Sequence, residues 1–199
     1  MTPDATRFLP GADRLPTIET ARLRLRWLVP EDAPALLAVF GDPAVCRYWS
    51  RPPLADLAEG AALQREIAEL FAERSLFQWG IAERDGDAVV GTCTLAALSA
   101  EHRRAELGFA IARGAWGRGY ASEAVAALLA YAFDALALHR VEADVDPRND
   151  SSIRVLERMG FRREGCQRER YHLAGEVQDA LLYGLLRREW SPDARGIAR

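Results

Sequence analysis

The order and spacing of apolar residues predict a mixed α/β fold. Three observations carry that reading: strictly alternating strand segments, helical segments with apolar residues three and four apart, and a glycine-rich turn joining an apolar strand to a long amphipathic helix. Arg22-Leu23-Arg24-Leu25-Arg26 alternates without exception and predicts a half-buried strand, its arginines a solvated face. Pro30-Glu31-Asp32 then opens a helix, since proline suits the first turn and acids suit its positive end; Leu36, Leu37 and Phe40 form its stripe. Leu63, Ile67, Leu70 and Phe71 mark a second helix by their spacing.

Strands are predicted from Phe77 to Glu83 and from Ala88 to Leu95, joined by the turn Asp85-Gly86-Asp87. A third, Arg104 to Ile111, leads into Trp116-Gly117-Arg118-Gly119-Tyr120-Ala121, and a helix follows from Ser122 to about Leu136 with Val125, Leu128, Leu129 and Phe133 on one face. Val141 to Val145 reads as a strand, Ser151 to Met159 as a short helix stopped by Gly160, and Phe161–Leu173 with Val177–Leu186 as a hairpin turning at Ala174-Gly175-Glu176.

A length of 199 residues fits a single domain, expected over residues 18–190. Residues 1–17, with Pro3, Pro10, Gly11 and Pro16, read as an irregular extension, and 191–199 as a disordered polar tail. A net charge of −3 offers no general attraction to nucleic acid or anionic membrane. No segment has the ~18 consecutive apolar residues a bilayer span needs, and the N-terminus has no apolar signal core, so the expected location is cytoplasmic. All 26 basic residues are arginine, which removes lysine as nucleophile, base or phosphate ligand. Cys46, Cys93 and Cys166 lack metal-ligand spacing, and His102, His139 and His172 are scattered, so no metal is expected.

The chemistry-bearing signal is the turn at 116–121. Glycines allow sharp turns and close backbone approach. A helix N-terminus adds unpaired N–H groups and a positive dipole end, so strand, glycine turn and helix together suit a pyrophosphate. A Walker loop is excluded because its lysine is missing. A dinucleotide fingerprint is a near miss, since Ser122 stands at the third glycine position.

A second signal lies in register downstream: Asn149-Asp150-Ser151-Ser152-Ile153-Arg154-Val155-Leu156-Glu157-Arg158-Met159-Gly160-Phe161. With Glu19–Arg26, Glu106-Leu107-Gly108-Phe109, Glu164-Gly165, Gly175, Asp179 and Tyr183, the chain resembles the GNAT superfamily of acetyl-CoA-dependent N-acetyltransferases, in its RimJ/RimL-type branch. The resemblance implies a mostly antiparallel central sheet of about six to seven strands flanked by about four helices. It also implies acetyl-CoA as co-substrate and an amine acceptor, either a protein N-terminus or a small molecule. A homodimer is compatible with it. Where the family's pyrophosphate motif usually opens with Gln or Arg, this chain has Trp116.

Acyl transfer from a thioester to an amine requires an anchored donor, a deprotonated amine, a stabilised oxyanion and a protonated leaving thiolate. The resemblance assigns the anchor to Trp116, Gly117, Arg118, Gly119, Tyr120 and Ala121, and the thioester arm to Phe109, Ala110 and Ile111, with the N–H of Phe109 or Ile111 polarising the carbonyl. One such donor is worth ~3 kcal/mol in acyl transfer. Glu106 is the first candidate base, because it begins the strand beside the expected acetyl position; Glu169 is the alternative. An α-amine of pKa near ~7.8 costs only about 1 kcal/mol to deprotonate at pH 7, against roughly 4.6 for a lysine amine, so a weak base suffices for the former. By resemblance Ser152 is the acid or the holder of the CoA sulfur, Asn149 contacts the CoA arm, and Tyr171 is a second acid candidate. Ser151 or Ser152 also suits a helix cap. Arg47, Tyr48, Trp49 and Arg51 lie between the first two helices, where two guanidiniums and two aromatics would bind an acceptor carboxylate and apolar body. A packed aromatic pair with solvated arginines fits the same residues. The competing reading is an acyl-CoA-binding sensor without turnover.

Overall fold

A computed structural model describes residues 8–49, 51–173 and 175–191. Its elements are β1 (Ile18–Glu19), β2 (Leu23–Arg26), α1 (Ala33–Phe40), α2 (Pro43–Cys46), α3 (Leu57–Ala72), β3 (Leu76–Glu83), β4 (Val89–Ser99), β5 (Arg104–Ile111), α4 (Tyr120–Asp134), β6 (Arg140–Val145), α5 (Asp150–Met159), β7 (Arg162–Leu173) and β8 (Glu176–Leu186). The strands form one eight-stranded sheet in the order β1-β2-β3-β4-β5-β6-β8-β7. Every neighbouring pair is antiparallel except β5 and β6.

The mixed α/β class and the order of the longer elements agree with the sequence. Two short elements were not anticipated. β1 extends the sheet edge beyond β2, and α2 is a four-residue helix whose start is fixed by the Asp42 carboxylate accepting from Ala44 N–H (2.8 Å), with Pro43 in its first turn. α4 begins at Tyr120, not Ser122, because Gly119 at φ +78° is itself the N-cap. Phe8 and Leu15, in the stretch read as an irregular extension, are buried in the core. The residues beyond 191 lie outside the described chain, as does Ala174 of the β7–β8 turn.

Alternation on β2 buries Leu23 and Leu25 completely. Its arginines are not merely solvated: Arg24 pairs with Glu19 and Asp87, Arg26 with Asp32 and Asp87, and Arg22 with Glu123 at the start of α4. One face of the sheet packs Phe77, Trp79, Leu95 and Leu107 against α4 and α5; Trp79 meets Tyr131 edge-on at 5.6 Å. On the other face α1 and α3 gather Leu28, Leu36, Val39, Phe40 and Ile67. No helix among the described residues is long and apolar enough to cross a membrane.

The β5–β6 pairing positions everything that follows. It covers only Arg104↔Arg140, Ala105↔Val141 and Glu106↔Glu142. Beyond Glu106, β5 stays with β4 as far as Ile111, while β6 stays with β8 as far as Val145. The two parallel strands therefore diverge, and a wedge opens in the sheet.

Candidate active site

The wedge has a backbone wall. Ala112 N–H donates to Val90 O of β4 (2.8 Å). Alternate residues of an antiparallel strand turn their N–H and C=O to the same neighbour. Ala110 and Gly108 therefore face β4, and Phe109 and Ile111 present their backbone groups to the wedge. The Ile111 carbonyl is already taken: the Trp116 indole N–H donates to it at 2.7 Å. Trp116 thus ties the end of β5 to the turn while half of its surface stays exposed.

After Trp116 the chain must reverse. Gly117 (φ +75°) and Gly119 (φ +78°) both occupy the left-handed region, which side-chain-bearing residues avoid at ~1–2 kcal/mol each. A Cβ on Gly117 would meet nothing within 4 Å, so conformation and not crowding requires glycine there. Among the described residues no side chain caps α4, and the first α4 N–H to find a helical partner is that of Glu123, bonded to Gly119 O (3.1 Å). The amides of Tyr120, Ala121 and Ser122 point along the positive end of a 15-residue helix.

Side chains around this turn are occupied in holding it. Tyr120 Oη donates to Glu83 (2.8 Å), and the Arg118 guanidinium also reaches Glu83 (3.2 Å). Glu123 accepts from Thr20 Oγ1 and from the backbone and guanidinium of Arg22. Burial works to raise the Glu123 pKa, but those hydrogen bonds and the Arg22 charge outweigh it and hold the group below the ordinary carboxylate range. Opposite the turn, Asn149 is the N-cap of α5, its Oδ1 accepting from Ser152 N–H (3.2 Å) and Ser151 Oγ (2.8 Å). The cap is therefore Asn149, not either serine, and among the described residues the Ser152 hydroxyl has no hydrogen-bond partner.

Where the wedge opens, three titratable side chains stand on one face of the sheet. Glu106 is the last β5 residue paired with β6. Its carboxyl is pushed above the ordinary range, chiefly by burial and then by the charges of Asp144 and Glu142. Asp144, two residues past Glu142 on β6, accepts a hydrogen bond from the Tyr171 hydroxyl. Burial first, and then that bond, push the Tyr171 pKa up to about 12. Tyr171 reaches this point because β7 bulges between Gln167 and Tyr171, where Glu169 adopts φ +54° and its N–H bonds to Asp179 (2.8 Å). The Glu169 side chain, the alternative base, is exposed and is not among the residues that line the cavity.

The 47–51 segment follows α2. The guanidinium carbons of Arg47 and Arg148 lie 5.5 and 5.6 Å from the Tyr48 ring centre. Arg148 is held by Asp146, whose pKa is lowered mainly by that guanidinium. Trp49 packs on Phe40 at 5.2 Å, and Arg51 is ion-paired with Glu66 of α3. Arg51 is thus engaged within the fold.

These groups share one cavity of about 1370 Å³. Glu106, Phe109, Ala110, Ile111, Trp116, Gly117, Gly119, Tyr120, Ala121, Asn149, Ser152 and Tyr171 line it, and so do Arg47, Tyr48, Trp49 and Arg51. Arg118 does not, since its side chain turns out to Glu83. The sequence reading missed Asp144, Asp146, Arg148, Gln78 and Thr94 on the same walls. Their signal is register between strands distant in sequence, which alternation within one strand does not reveal.

A family model described as an acetyltransferase (GNAT) domain matches residues 22–162. The uncharacterized N-acetyltransferase p20 of Bacillus licheniformis is 36% identical over 175 residues, covering 88% of this chain and 98% of the relative. The crystal structure of a putative acetyltransferase from T. thermophilus is similar with a TM-score of 0.77 and 34% identity, over 91% of this chain and 94% of that one. Mycobacterium smegmatis RimJ, solved in complex with CoA-disulfide, shares the fold with a TM-score of 0.80 at 24% identity, over 87% of this chain and 88% of that one.

Proposed function

The chain belongs to the GNAT acetyltransferase family, and on that premise we propose that it transfers an acetyl group from acetyl-CoA to a primary amine by direct attack within the β5–β6 wedge. The observation that carries this reading is one continuous cavity with backbone donors at one end and paired carboxyl groups at the other. Free amides of Tyr120, Ala121 and Ser122 and the open space at Gly117 suit a pyrophosphate. Phe109 and Ile111 offer wedge-facing N–H groups to the pantetheine arm and to the thioester oxygen, where developing negative charge makes a fixed donor most effective.

Glu106 takes a proton from the acceptor ammonium, and the neutral amine that results attacks the thioester carbon. The raised pKa of Glu106 moves it toward the working pH, where a general base is most efficient. The C–N bond forms to give a tetrahedral oxyanion, which collapses with loss of the C–S bond. The departing thiolate takes a proton from Ser152 or Tyr171, and that hydroxyl is restored by the proton the new amide nitrogen gives up. The Tyr171 hydroxyl already donates its proton to Asp144, whereas among the described residues the Ser152 hydroxyl has no partner, and on that contrast Ser152 is the proposed donor. Within the family we infer the RimJ/RimL-type branch, supported by Glu106-Leu107-Gly108-Phe109 and by the Asn149–Phe161 run.

The test is release of free thiol from acetyl-CoA across N-terminal peptides, amino-acid amides, polyamines and aminoglycosides. Turnover with one class that is lost in Glu106→Gln supports transfer. Tight CoA binding with no release on any acceptor would favour a sensor instead.

A further inference from the structure

Two buried polar side chains in the cavity have no role so far. Gln78 is 8% exposed and Thr94 9%. Both line the cavity, and neither side chain has a hydrogen-bond partner among the described residues. Their polar atoms open onto the cavity and find no protein partner there, so water or a ligand group must complete their hydrogen bonds, and a ligand that enters has a ready pair to meet. The two are direct cross-strand partners on β3 and β4, and Thr94 is in turn opposite Gly108 of β5. Gly108 has no side chain to cover them: a Cβ built there would lie 3.8 Å from Thr94 Cβ. Glu106 is one diagonal step from Thr94 on the same face, a separation of roughly 7–8 Å and somewhat less between Cβ atoms.

This arrangement selects a chemistry. A carboxamide and a hydroxyl together supply N–H and O–H donors and oxygen acceptors, the complement of an amide group. Neither carries charge, so the pair itself offers nothing to a second ammonium; the cavity carboxylates Glu66, Asp144, Asp146 and Asp179 belong to α3, β6, the loop after β6 and β8, and not to the β3–β4 wall. The short distance from Glu106 places the amide within a few bonds of the reacting amine.

We propose that Gln78 and Thr94 form a specificity subsite for the acceptor, and that the acceptor class is an α-amino amide in preference to an alkylamine or polyamine. This deepens the acetyl-transfer reading and rests on it for the identity of the reacting end. The shared chemistry has two sources, a free amino-acid amide and the first residue of a polypeptide.

The experiment is calorimetric titration of acceptors into CoA-saturated protein, with thiol release from acetyl-CoA run alongside. The probes are alaninamide, its hydrocarbon isostere 3-methylbutan-2-amine, trialanine and putrescine. Gln78→Leu and Thr94→Val are each expected to weaken alaninamide about tenfold, the effect of one lost hydrogen bond, while leaving the isostere and CoA affinity unchanged. CoA affinity reports folding, and if Gln78→Leu loses it, Thr94→Val decides. Equal loss for alaninamide and isostere, or no loss for either, would overturn the subsite even if thiol release persists. The expected binding pattern without thiol release would keep the subsite and overturn the transfer reading. Trialanine binding far above alaninamide identifies a polypeptide N-terminus as the source, and equal binding identifies the free amide.

Discussion

The two ends of the cavity are made of different material. At the proposed donor end the groups on offer are backbone: the Phe109 and Ile111 amides that face the wedge, and the amides of Tyr120, Ala121 and Ser122. Side chains there are tied off, Arg118 and Tyr120 to Glu83, Arg22 to Glu123 and Trp116 to Ile111. At the proposed acceptor end the groups on offer are strand side chains, Gln78, Thr94, Glu106, Asp144 and Tyr171. A backbone site tolerates exchange of its side chains and is intolerant of changed conformation; a side-chain site is the reverse.

That contrast is broken most forcefully at Glu106. Glu106→Gln is expected to lower kcat by about 10²–10⁴-fold, the usual contribution of a general base, with acetyl-CoA affinity unchanged. Steady-state kinetics with calorimetry checks both halves of that statement. Gly119→Val is the reciprocal change. A β-branched residue at φ +78° carries a penalty of at least ~2 kcal/mol, so acetyl-CoA Kd should rise about thirtyfold or more, with kcat at saturation largely kept.

The next effect is a shift along the pH axis. Glu106 must be ionised to accept a proton, so kcat/KM rises as pH passes through its pKa. Burial, Asp144 and Glu142 hold that pKa above the ordinary value, so the acid limb should lie above the usual carboxylate range. Asp144→Asn removes one like charge, and the limb should move to lower pH. The smallest effect separates two neighbours at the start of α5. Asn149→Ala removes the helix cap and should cost about 1 kcal/mol in thermal or denaturant unfolding, whereas Ser152→Ala should leave stability nearly unchanged while lowering kcat.

The glycine turn and the start of α4 were legible in the sequence because their signals are local. Two glycines two residues apart announce positive φ, and the following 3.6-residue period announces the helix. Asn149 was also visible, but its cap was assigned to the serines beside it, since all three are good capping residues. The acceptor end was only partly legible. Glu106 stood out at the start of an apolar run, whereas Asp144, Gln78 and Thr94 read as ordinary strand interior. Their convergence depends on β3–β4–β5 register and on a parallel contact between β5 and β6, which the glycine turn and all of α4 separate in sequence. That Tyr171 reaches Asp144 while Glu169 stays exposed follows from a bulge that no local pattern signals.

The central claim is that backbone amides bind the donor. Amide hydrogen exchange resolved by residue, with and without CoA at a concentration saturating by calorimetry, tests it most directly. Selective protection of Phe109, Ile111, Tyr120, Ala121 and Ser122 is the predicted result. Saturating CoA with unchanged exchange at those five amides would contradict the account.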